Sequence, residues 1–284
     1  MKVMSYNFSL STLEKELEAI CIPRHPVWNN WGYQKVQEYI ETKLNACGKV
    51  EKHIFPSMEM EGCNLILKLE GNNPQLAPIL IGAHYDGVPD TAAADDNGTA
   101  VVALLQLAGM FAQQSLNRSL WLVAFDQEEW GMRGSQALAR HLKEQKQPLK
   151  LMISLEMLGF TCEVQNYPQP EMYQLFGSKG DYLALVANQE IYLLVQEMNE
   201  IFSRHLPTRF LCVPDRGASF PEITLSDHSP FWECGYDGLL LTDTAFLRNP
   251  NYHKYSDTID SLDLDFFAKV VEGLILVTKH LTQS

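Results

Sequence analysis

Short apolar runs alternate with longer amphipathic stretches along most of this sequence. The runs APILIGA, SLWLVAF, KLMISL and DGLLLT have the length and composition of buried strands. Each is followed by a stretch in which apolar residues recur every three or four positions, as on one face of a helix. Those stretches are GTAVVALLQLAGMFAQQ, SQALARHLKEQ, NQEIYLLVQEMNEIFSRHL and LDFFAKVVEGLILVTKHL. Two more helices, STLEKELEAIC and WGYQKVQEYIETKLNACG, and two strands, VEKHIFP and CNLILKLEG, are predicted ahead of them.

This alternation predicts an α/β protein. Apolar strands that alternate with helices form a largely parallel sheet whose two faces are both covered. We therefore expect a single three-layer α/β/α domain over residues 1–284, with a mostly parallel mixed central sheet and no linker that divides it. The irregular region from Phe160 to Tyr182 is predicted to be a surface insertion near residues 160–182.

Composition and charge narrow the possible partners. The chain has 284 residues, of which 46% are hydrophobic, so it can bury a sizeable core. A net charge of −13 argues against nucleic acid or an anionic membrane as a partner. No run reaches the ~18 apolar residues of a membrane span, and the first residues do not resemble a signal peptide. None of the six cysteines forms a C-x-x-C pair. We therefore expect a cytoplasmic protein with reduced thiols.

Ionisable residues follow the predicted strands at the point where each strand ends. Ligands of open α/β sheets bind outside the carboxyl ends of the strands, so these side chains should converge. Carboxylates that lie so close together repel one another and need either water or a cation. The residues concerned are His84, Asp86, Asp95, Asp96, Asp126, Glu128, Glu129, Glu156, Asp243 and His253.

The residue types in this set indicate which cation would bind. Histidines and carboxylates without cysteine suit zinc, and less often manganese or cobalt. A cluster of this size can hold two divalent ions, with one aspartate bridging them. Taken singly, each group also has an ordinary structural interpretation: the Asp95–Asp96 pair could be a helix cap, and Glu128–Glu129 a solvated helix start.

At this point the residues resemble the co-catalytic zinc aminopeptidases, whose fold also serves glutaminyl cyclases and transferrin-receptor-like domains. The resemblance rests on GAHYDG, ADDNGTA, FDQEEWGMRGS, SLEMLGF, SDHSPF and LTDTAFLRNPNYHKYSDT, which occur in the family's order between residues 84 and 258. Each motif alone is moderately specific, whereas the ordered set is highly specific.

The resemblance implies a set of five metal ligands. His84 and Glu156 would bind one ion, Glu129 and His253 would bind the other, and Asp96 would bridge the two. Asp96 is favoured over Asp95 because the family's bridging aspartate precedes a pair such as Asn-Gly. The resemblance also implies a cis peptide bond after Asp96. Many relatives have aspartate where this chain has Glu156, whose extra methylene the backbone must accommodate.

Three further residues receive catalytic roles from the resemblance. Glu128 would be the general base, which takes a proton from a metal-bridging water and passes it to the leaving amine. Asp86 would hydrogen-bond the second ring nitrogen of His84 and fix its tautomer. Tyr252 would polarise the tetrahedral intermediate. Asp227 and His228 would lie in or behind the wall of the site, without being ligands.

The sequence therefore predicts a metal-dependent exopeptidase that holds two divalent ions, with Zn²⁺ as the favoured metal. The expected activity is that of an aminopeptidase on peptide or aminoacyl substrates. One alternative is a glutaminyl cyclase-like transferase with a single zinc, and another is a non-catalytic binding domain on the same fold. A carboxypeptidase is also open, because no motif identifies which end of a peptide binds. The sequence makes no prediction of the oligomeric state.

Overall fold

One eight-stranded sheet forms the middle layer of the protein. The computed structural model describes residues 9–57, 60–167 and 169–284. Its strands are β1 Val50–Phe55, β2 Gly62–Leu69, β3 Ile79–His84, β4 Leu120–Phe125, β5 Leu151–Glu156, β6 Leu183–Asn188, β7 Thr208–Val213 and β8 Gly238–Thr242. Its helices are α1 Leu10–Ile20, α2 Asn30–Asn45, α3 Ala100–Phe111, α4 Arg133–Glu144, α5 Glu171–Phe176, α6 Tyr192–Phe202, α7 His228–Glu233 and α8 Leu264–Gln283.

The strand order explains why the sheet is mixed. The strands follow one another in space as β1-β2-β4-β3-β5-β8-β6-β7. The central strands β4, β3, β5 and β8 are parallel neighbours, and β6 and β7 form a parallel pair at one edge. The antiparallel pairs are β1 with β2, β2 with β4, and β6 with β8. The predicted α/β class with a mostly parallel mixed sheet is confirmed.

Successive residues of the central strands face opposite sides of the sheet, which gives two apolar cores. Ile81 and Leu122 face the larger core, which is shared with α1, α2, α3, α6 and α8. Leu80 and Val123 face the smaller core, which is shared with α4 and α7. Because apolar residues occupy both faces, these strands are continuous hydrophobic runs rather than alternating ones. The three-layer arrangement follows directly from that pattern.

Capping side chains define where the first and last helices begin. The Ser9 hydroxyl accepts a hydrogen bond from the Thr12 backbone N–H at 3.3 Å, at the start of α1. The Asp263 carboxylate accepts one from the Phe266 N–H at 2.9 Å, at the start of α8. Helix α8 then packs along α6, where Gly273 leaves room for the Phe202 ring.

The region between residues 160 and 182 contains more structure than its irregular sequence indicates. It holds the short helix α5 and an antiparallel bridge between Cys162 and Gly180. Strands β6 and β7 and the short helix α7 come after it, and the hydrophobic pattern did not single them out. The extent of the domain, residues 1–284 with an insertion near 160–182, stays a prediction.

Two other expectations can be compared with the described residues. All six cysteines lie within them, and each is free. None of the helices in the described ranges is long and apolar enough to cross a membrane. The first eight residues, on which part of the signal-peptide prediction rests, lie outside the described residues.

Candidate metal centre

The carboxyl ends of the central strands bring the predicted ligands together. His84 is the last residue of β3 and Glu156 is the last residue of β5. Glu129 lies in the turn that follows β4, and His253 lies in the long loop that follows β8. Asp96 lies in an irregular turn, residues 94–99, that leads into α3. These elements are neighbours in the sheet, which explains how residues distant in sequence reach one place.

One group of ligand atoms surrounds the His84 imidazole. The Nε2 atom of His84 lies 3.4 Å from Asp96 Oδ1 and 3.5 Å from Glu156 Oε1. All three side chains are buried. Two ligands that each lie about 2.0–2.1 Å from a tetrahedral zinc ion are roughly 3.3 Å apart. The spacing of these three side chains therefore fits a shared divalent ion.

A second group surrounds the His253 imidazole. The Nε2 atom of His253 lies 3.1 Å from Asp96 Oδ2 and 3.1 Å from Glu129 Oε2. Asp96 thus offers one carboxylate oxygen to each histidine. This is the arrangement expected of a bridging ligand between two ions. The peptide bond between Asp96 and Asn97 is cis, as the resemblance implies.

The two groups contain three carboxylates and two histidines, which perturb one another's pKa values. Burial opposes ionisation of Asp96, but the two histidines outweigh it and hold the pKa of Asp96 below its ordinary value. Burial and the charge of Asp96 raise the pKa of Glu129 to about 7. Burial lowers the pKa of His253, but hydrogen bonds that its ring donates to Asp96 and Glu129 outweigh burial and raise the value to about 10. Divalent cations would supply the charge that these carboxylates need.

Glu128 lies beside the ligands. Its carboxylate, one ring nitrogen of His84 and an oxygen of Glu129 all lie within 4.8 Å of one another. Burial raises the pKa of Glu128 well above its ordinary value; His84 opposes this increase and Glu156 adds to it. Glu128 is half-buried, so solvent reaches the part of the site that it borders.

Asp86 lies near Nδ1 of the His84 ring, whereas Asp96 and Glu156 lie near Nε2. Its carboxylate accepts hydrogen bonds from the backbone N–H groups of Glu128 and Glu129, at 3.0 and 3.2 Å. One of its oxygens is 3.5 Å from Nδ1 of His84, longer than the about 2.7–3.2 Å of an N–H···O bond. The buried Nδ1 has no hydrogen-bond partner among the described residues. Asp86 therefore binds the turn that carries Glu128. It also lies close to the His84 ring, at a distance longer than a hydrogen bond.

Tyr252, Asp227 and His228 occupy the surroundings of the two groups. The Tyr252 ring stacks on the His253 imidazole, with centroids 3.8 Å apart and an interplanar angle of 18°. Asp227 is fully buried, and burial raises its pKa to about 7. The Nε2 of His228 donates to the Ile223 carbonyl at 2.8 Å. Among the described residues, the groups that could hold a metal contain neither Asp227 nor His228.

Several residues that hydrogen-bond to the predicted ligands, or to the backbone beside them, were assigned no role from the sequence. The Ser226 hydroxyl donates to Glu156 Oε2 at 2.8 Å. The Asn97 side-chain amide donates to the Leu155 carbonyl at 3.0 Å and accepts from the Met157 N–H at 3.0 Å. It therefore holds the backbone on both sides of Glu156. Both residues lie in motifs that carry the family resemblance, and that was the only sequence signal available for them.

An apolar cavity opens beside Glu156. Its volume is about 130 Å³, and it lies between the sheet and the region 160–182. Its lining includes Tyr167, Met172, Phe176, Val186, Leu240 and Tyr252. Because Tyr252 and Glu156 form part of its wall, the cavity is continuous with the candidate metal centre. Its apolar walls suit an apolar group of a bound molecule.

The fold and this site define a class of α/β protein with paired histidine–carboxylate groups at the carboxyl edge of a mixed sheet. Residues 64–278 match the model of peptidase family M28, and the chain belongs to this family. The family match confirms the resemblance that the sequence motifs carried.

Two curated relatives illustrate the match. The uncharacterized protein YfbL of Escherichia coli (strain K12) is 35% identical over 212 residues, which cover 69% of this chain and 65% of that protein. A probable leucine aminopeptidase of Arthroderma otae is 24% identical over 264 residues, or 86% of this chain and 63% of that protein. The chain thus spans slightly less than two thirds of the length of these relatives.

Solved structures share the fold. The Legionella pneumophila LapA aminopeptidase matches 98% of this chain and 73% of its own, with a TM-score of 0.75 and 16% identity. BSAP, a zinc aminopeptidase from Bacillus subtilis, matches 80% of this chain and 52% of its own, with a TM-score of 0.61 and 20% identity. The Tannerella forsythia glutaminyl cyclase matches 95% of this chain and 98% of its own, with a TM-score of 0.66 and 17% identity. At these identities the likeness establishes the fold.

Proposed function

We propose that this protein is a zinc-dependent aminopeptidase that holds two ions per chain and hydrolyses the N-terminal bond of peptides. The observation that carries the proposal is the position of Asp96, whose two carboxylate oxygens face His84 and His253 respectively. His84, Glu156 and Asp96 would hold one ion, and Glu129, His253 and Asp96 the other. Support for zinc comes from the histidine–carboxylate donor set and from BSAP, a zinc aminopeptidase of the same fold.

When bound, divalent ions here would polarise the scissile carbonyl, lower the pKa of a water molecule and help keep Glu128 ionised. Glu128 acts as the general base that takes a proton from the attacking water. As the C–N bond breaks, Glu128 delivers that proton to the departing nitrogen, so the peptide leaves as an amine. Its half-buried position beside His84 and Glu129 gives it access to both substrate and solvent.

The surroundings of the metal ligands select the substrate in this proposal. The acidic side chains at the site favour a positively charged group, which for a peptide is its free N-terminal amine. The apolar cavity beside Glu156 then receives the side chain of the N-terminal residue. Its volume and aromatic lining suit a large apolar side chain, such as that of leucine or phenylalanine. Tyr252, which lines the cavity and stacks on His253, would donate a hydrogen bond to the developing oxyanion.

The test is a hydrolysis screen on protein loaded with zinc, manganese or cobalt. Leucyl and phenylalanyl peptides with a free amine are compared with the same peptides carrying an N-acetyl group. We expect cleavage of the free peptides and none of the acetylated ones. Cleavage of acetylated peptides from the other end would instead identify a carboxypeptidase. Metal binding without cleavage of any peptide would identify a binding domain.

Glutaminyl cyclase activity is the second candidate. The observation that favours it is the fold match to the Tannerella enzyme, which extends over 98% of that chain. A peptide with N-terminal glutamine distinguishes the two activities, because cyclisation releases ammonia and leaves a pyroglutamyl peptide of full length. Mass spectrometry of that single reaction separates loss of ammonia from loss of a residue.

A further inference from the structure

The guanidinium of Arg24 is completely buried and binds three separate segments of backbone. Its Nε donates to the Tyr85 carbonyl at 2.8 Å, one residue beyond the end of β3. Its terminal nitrogens donate to the Ile20 carbonyl at the end of α1, at 3.1 Å, and to the carbonyls of Ala92 and Ala93, both at 2.7 Å. No carboxylate of the described residues lies within ion-pair distance of Arg24. A buried cation that binds only carbonyls is unusual enough to need a reason.

The carbonyls that Arg24 binds belong to the turn that presents Asp96. Ala93 has a left-handed backbone, with φ of +51°, which is unfavourable for a residue with a Cβ atom. The Ala93 carbonyl also accepts the N–H of Gly98 at 3.1 Å, so the turn closes around residues 94–97. Arg24 therefore holds the start of a closed turn whose centre is the Asp96 carboxylate.

Arg24 connects the backbone next to two of the three side chains in the first group, His84 and Asp96. Tyr85 directly follows His84, and Ala92 and Ala93 directly precede the turn that carries Asp96. One rigid guanidinium thus sets the position of the backbone next to His84 relative to the backbone next to Asp96. The planar fork of arginine can satisfy acceptors in several fixed directions, which the three donors of a flexible lysine amine do not reproduce.

We infer that Arg24 is a positioning residue for the metal centre: it sets the geometry between His84 and Asp96 and thereby the affinity for the ion they share. The inference rests on the proposed function, because it takes these two residues as ligands. Arg24 touches neither metal nor substrate in this inference, and it acts through the backbone alone. Removal of the fork takes a donor away from the carbonyls of Ala92, which is half-buried, and Ala93, which is buried, so the turn loosens.

The experiment compares Arg24→Lys and Arg24→Met with Arg118→Met in otherwise intact protein. Arg118 is the control, because it is also buried and donates to a backbone carbonyl, that of Ala77 at 2.6 Å, at the opposite end of β3 from the predicted ligands. Zinc affinity is measured by titration calorimetry, and the melting temperature is measured in chelator. We expect Arg24→Lys to weaken zinc binding by about 10–100-fold, the usual effect of removing an outer partner of a ligand. Arg118→Met should lower the melting temperature without changing the zinc affinity.

Hydrogen exchange in metal-free protein provides a second measurement that does not depend on zinc. The amides of Asp95, Asp96 and Gly98 are hydrogen-bonded inside the protein and should exchange faster in Arg24→Lys than in the parent. Faster exchange supports the positioning of this turn by Arg24 whether or not the parent protein binds zinc, whereas a parent that binds no zinc would overturn the proposed function. Unchanged exchange in this turn, or zinc affinity within twofold of the parent, would overturn the role of Arg24. If Arg24→Met does not fold, Arg24→Lys and the exchange data still decide.

Discussion

The carboxylate of Asp257 accepts the backbone N–H of Asp96 at 3.1 Å with one oxygen, while its other oxygen accepts the N–H of Asp95 at 2.9 Å. Asp257 is 161 residues further along the chain than Asp96 and lies four residues after His253. The loop that carries one predicted ligand, His253, therefore also holds the turn that carries the predicted bridging residue, Asp96. Arg24 donates hydrogen bonds to the carbonyls just before this turn, and Asp257 accepts hydrogen bonds from amides within it. The position of Asp96 is thus determined by backbone contacts from two directions.

The first prediction concerns Asp257→Asn. Each oxygen of Asp257 accepts one N–H, so an asparagine must direct its NH₂ group toward one of these donors and lose that bond. We expect the affinity for zinc to fall by about 10–100-fold, with little effect on the fold as measured by circular dichroism. Titration calorimetry gives the affinity, and Asp260→Asn, an exposed carboxylate in the same segment, is the control. Equal affinities in the two variants would show that the Asp257 contacts do not position the ligand.

The second prediction concerns the number of ions. We expect two zinc ions per chain in the parent protein, as measured by elemental analysis after dialysis. Glu156→Ala removes a ligand from the His84 group alone, so it should retain about one ion. Asp96→Ala removes a ligand shared by both groups and should retain fewer than one. A parent protein that binds a single ion under saturating zinc would contradict the shared role of Asp96 and favour the cyclase alternative.

The third prediction separates two neighbouring glutamates. Glu128→Gln keeps the size of the side chain but removes the base, so kcat should fall by about 10²–10⁴-fold while zinc content and KM change little. Glu129→Gln replaces an anionic ligand with a neutral amide, so it should lower zinc affinity first. Steady-state kinetics and zinc titration on both variants are the measurements. Near-normal kcat in Glu128→Gln, or loss of zinc equal to that of Glu129→Gln, would place the base elsewhere.

Much of this architecture can be predicted from local sequence. The central strands are buried on both faces, so they stand out as apolar runs, and the ionisable residues that follow them mark the site. Strand β7 is different, because it is an edge strand that is only half-buried, and TRFLCV lacks the continuous apolar run of the strands beside it. Strand β6 was missed for another reason: its apolar run LALVAN directly follows the irregular region 160–182 and precedes a strong helical pattern.

The residues that position the predicted ligands could not be predicted in the same way. Apart from the contact of Arg24 with Ile20, the hydrogen bonds through which Arg24, Asn97 and Asp257 act reach backbone groups between 58 and 162 residues away. Hydrophobic periodicity carries no information about such contacts, since a buried arginine and a surface arginine look alike in sequence. The family resemblance placed Asn97 and Asp257 inside motifs, but a motif does not state what each residue binds.

The fourth prediction tests whether the apolar cavity receives the N-terminal side chain of the substrate. Ala184 lies on β6 and lines this cavity. A leucine at this position would fill part of the space next to Val186 and Leu240. We expect Ala184→Leu to lower kcat/KM for a phenylalanyl substrate by about tenfold, and to change the value for an alanyl substrate by less than twofold. An equal loss with both substrates would indicate a general defect, and no change with either would place the side chain outside the cavity.

The last prediction concerns the pH dependence of stability and a buried carboxylate, Asp126, that is not one of the predicted ligands. Oδ2 of Asp126 accepts hydrogen bonds from the Tyr33 hydroxyl and from the Cys63 N–H, both at 2.7 Å, while Oδ1 has no partner among the described residues. Burial raises the pKa of Asp126 from an ordinary 3.8 to about 7, and the nearby charge of Asp86 contributes to this increase. The folded protein thus keeps a proton on Asp126 that the unfolded chain releases near pH 4. The stabilisation from Asp126 is therefore complete below pH 4 and is lost as the pH rises toward 7.

The variant Asp126→Asn tests this dependence, because an asparagine side chain does not titrate. We expect the free energy of unfolding of the parent to fall relative to this variant, by about 1.4 kcal/mol for each unit of pKa shift, between pH 4 and pH 7. Urea unfolding at several pH values measures the difference, with the exposed Asp265→Asn as the control. Parallel curves for the parent and Asp126→Asn across this range would show that Asp126 ionises in the folded protein as readily as in the unfolded chain.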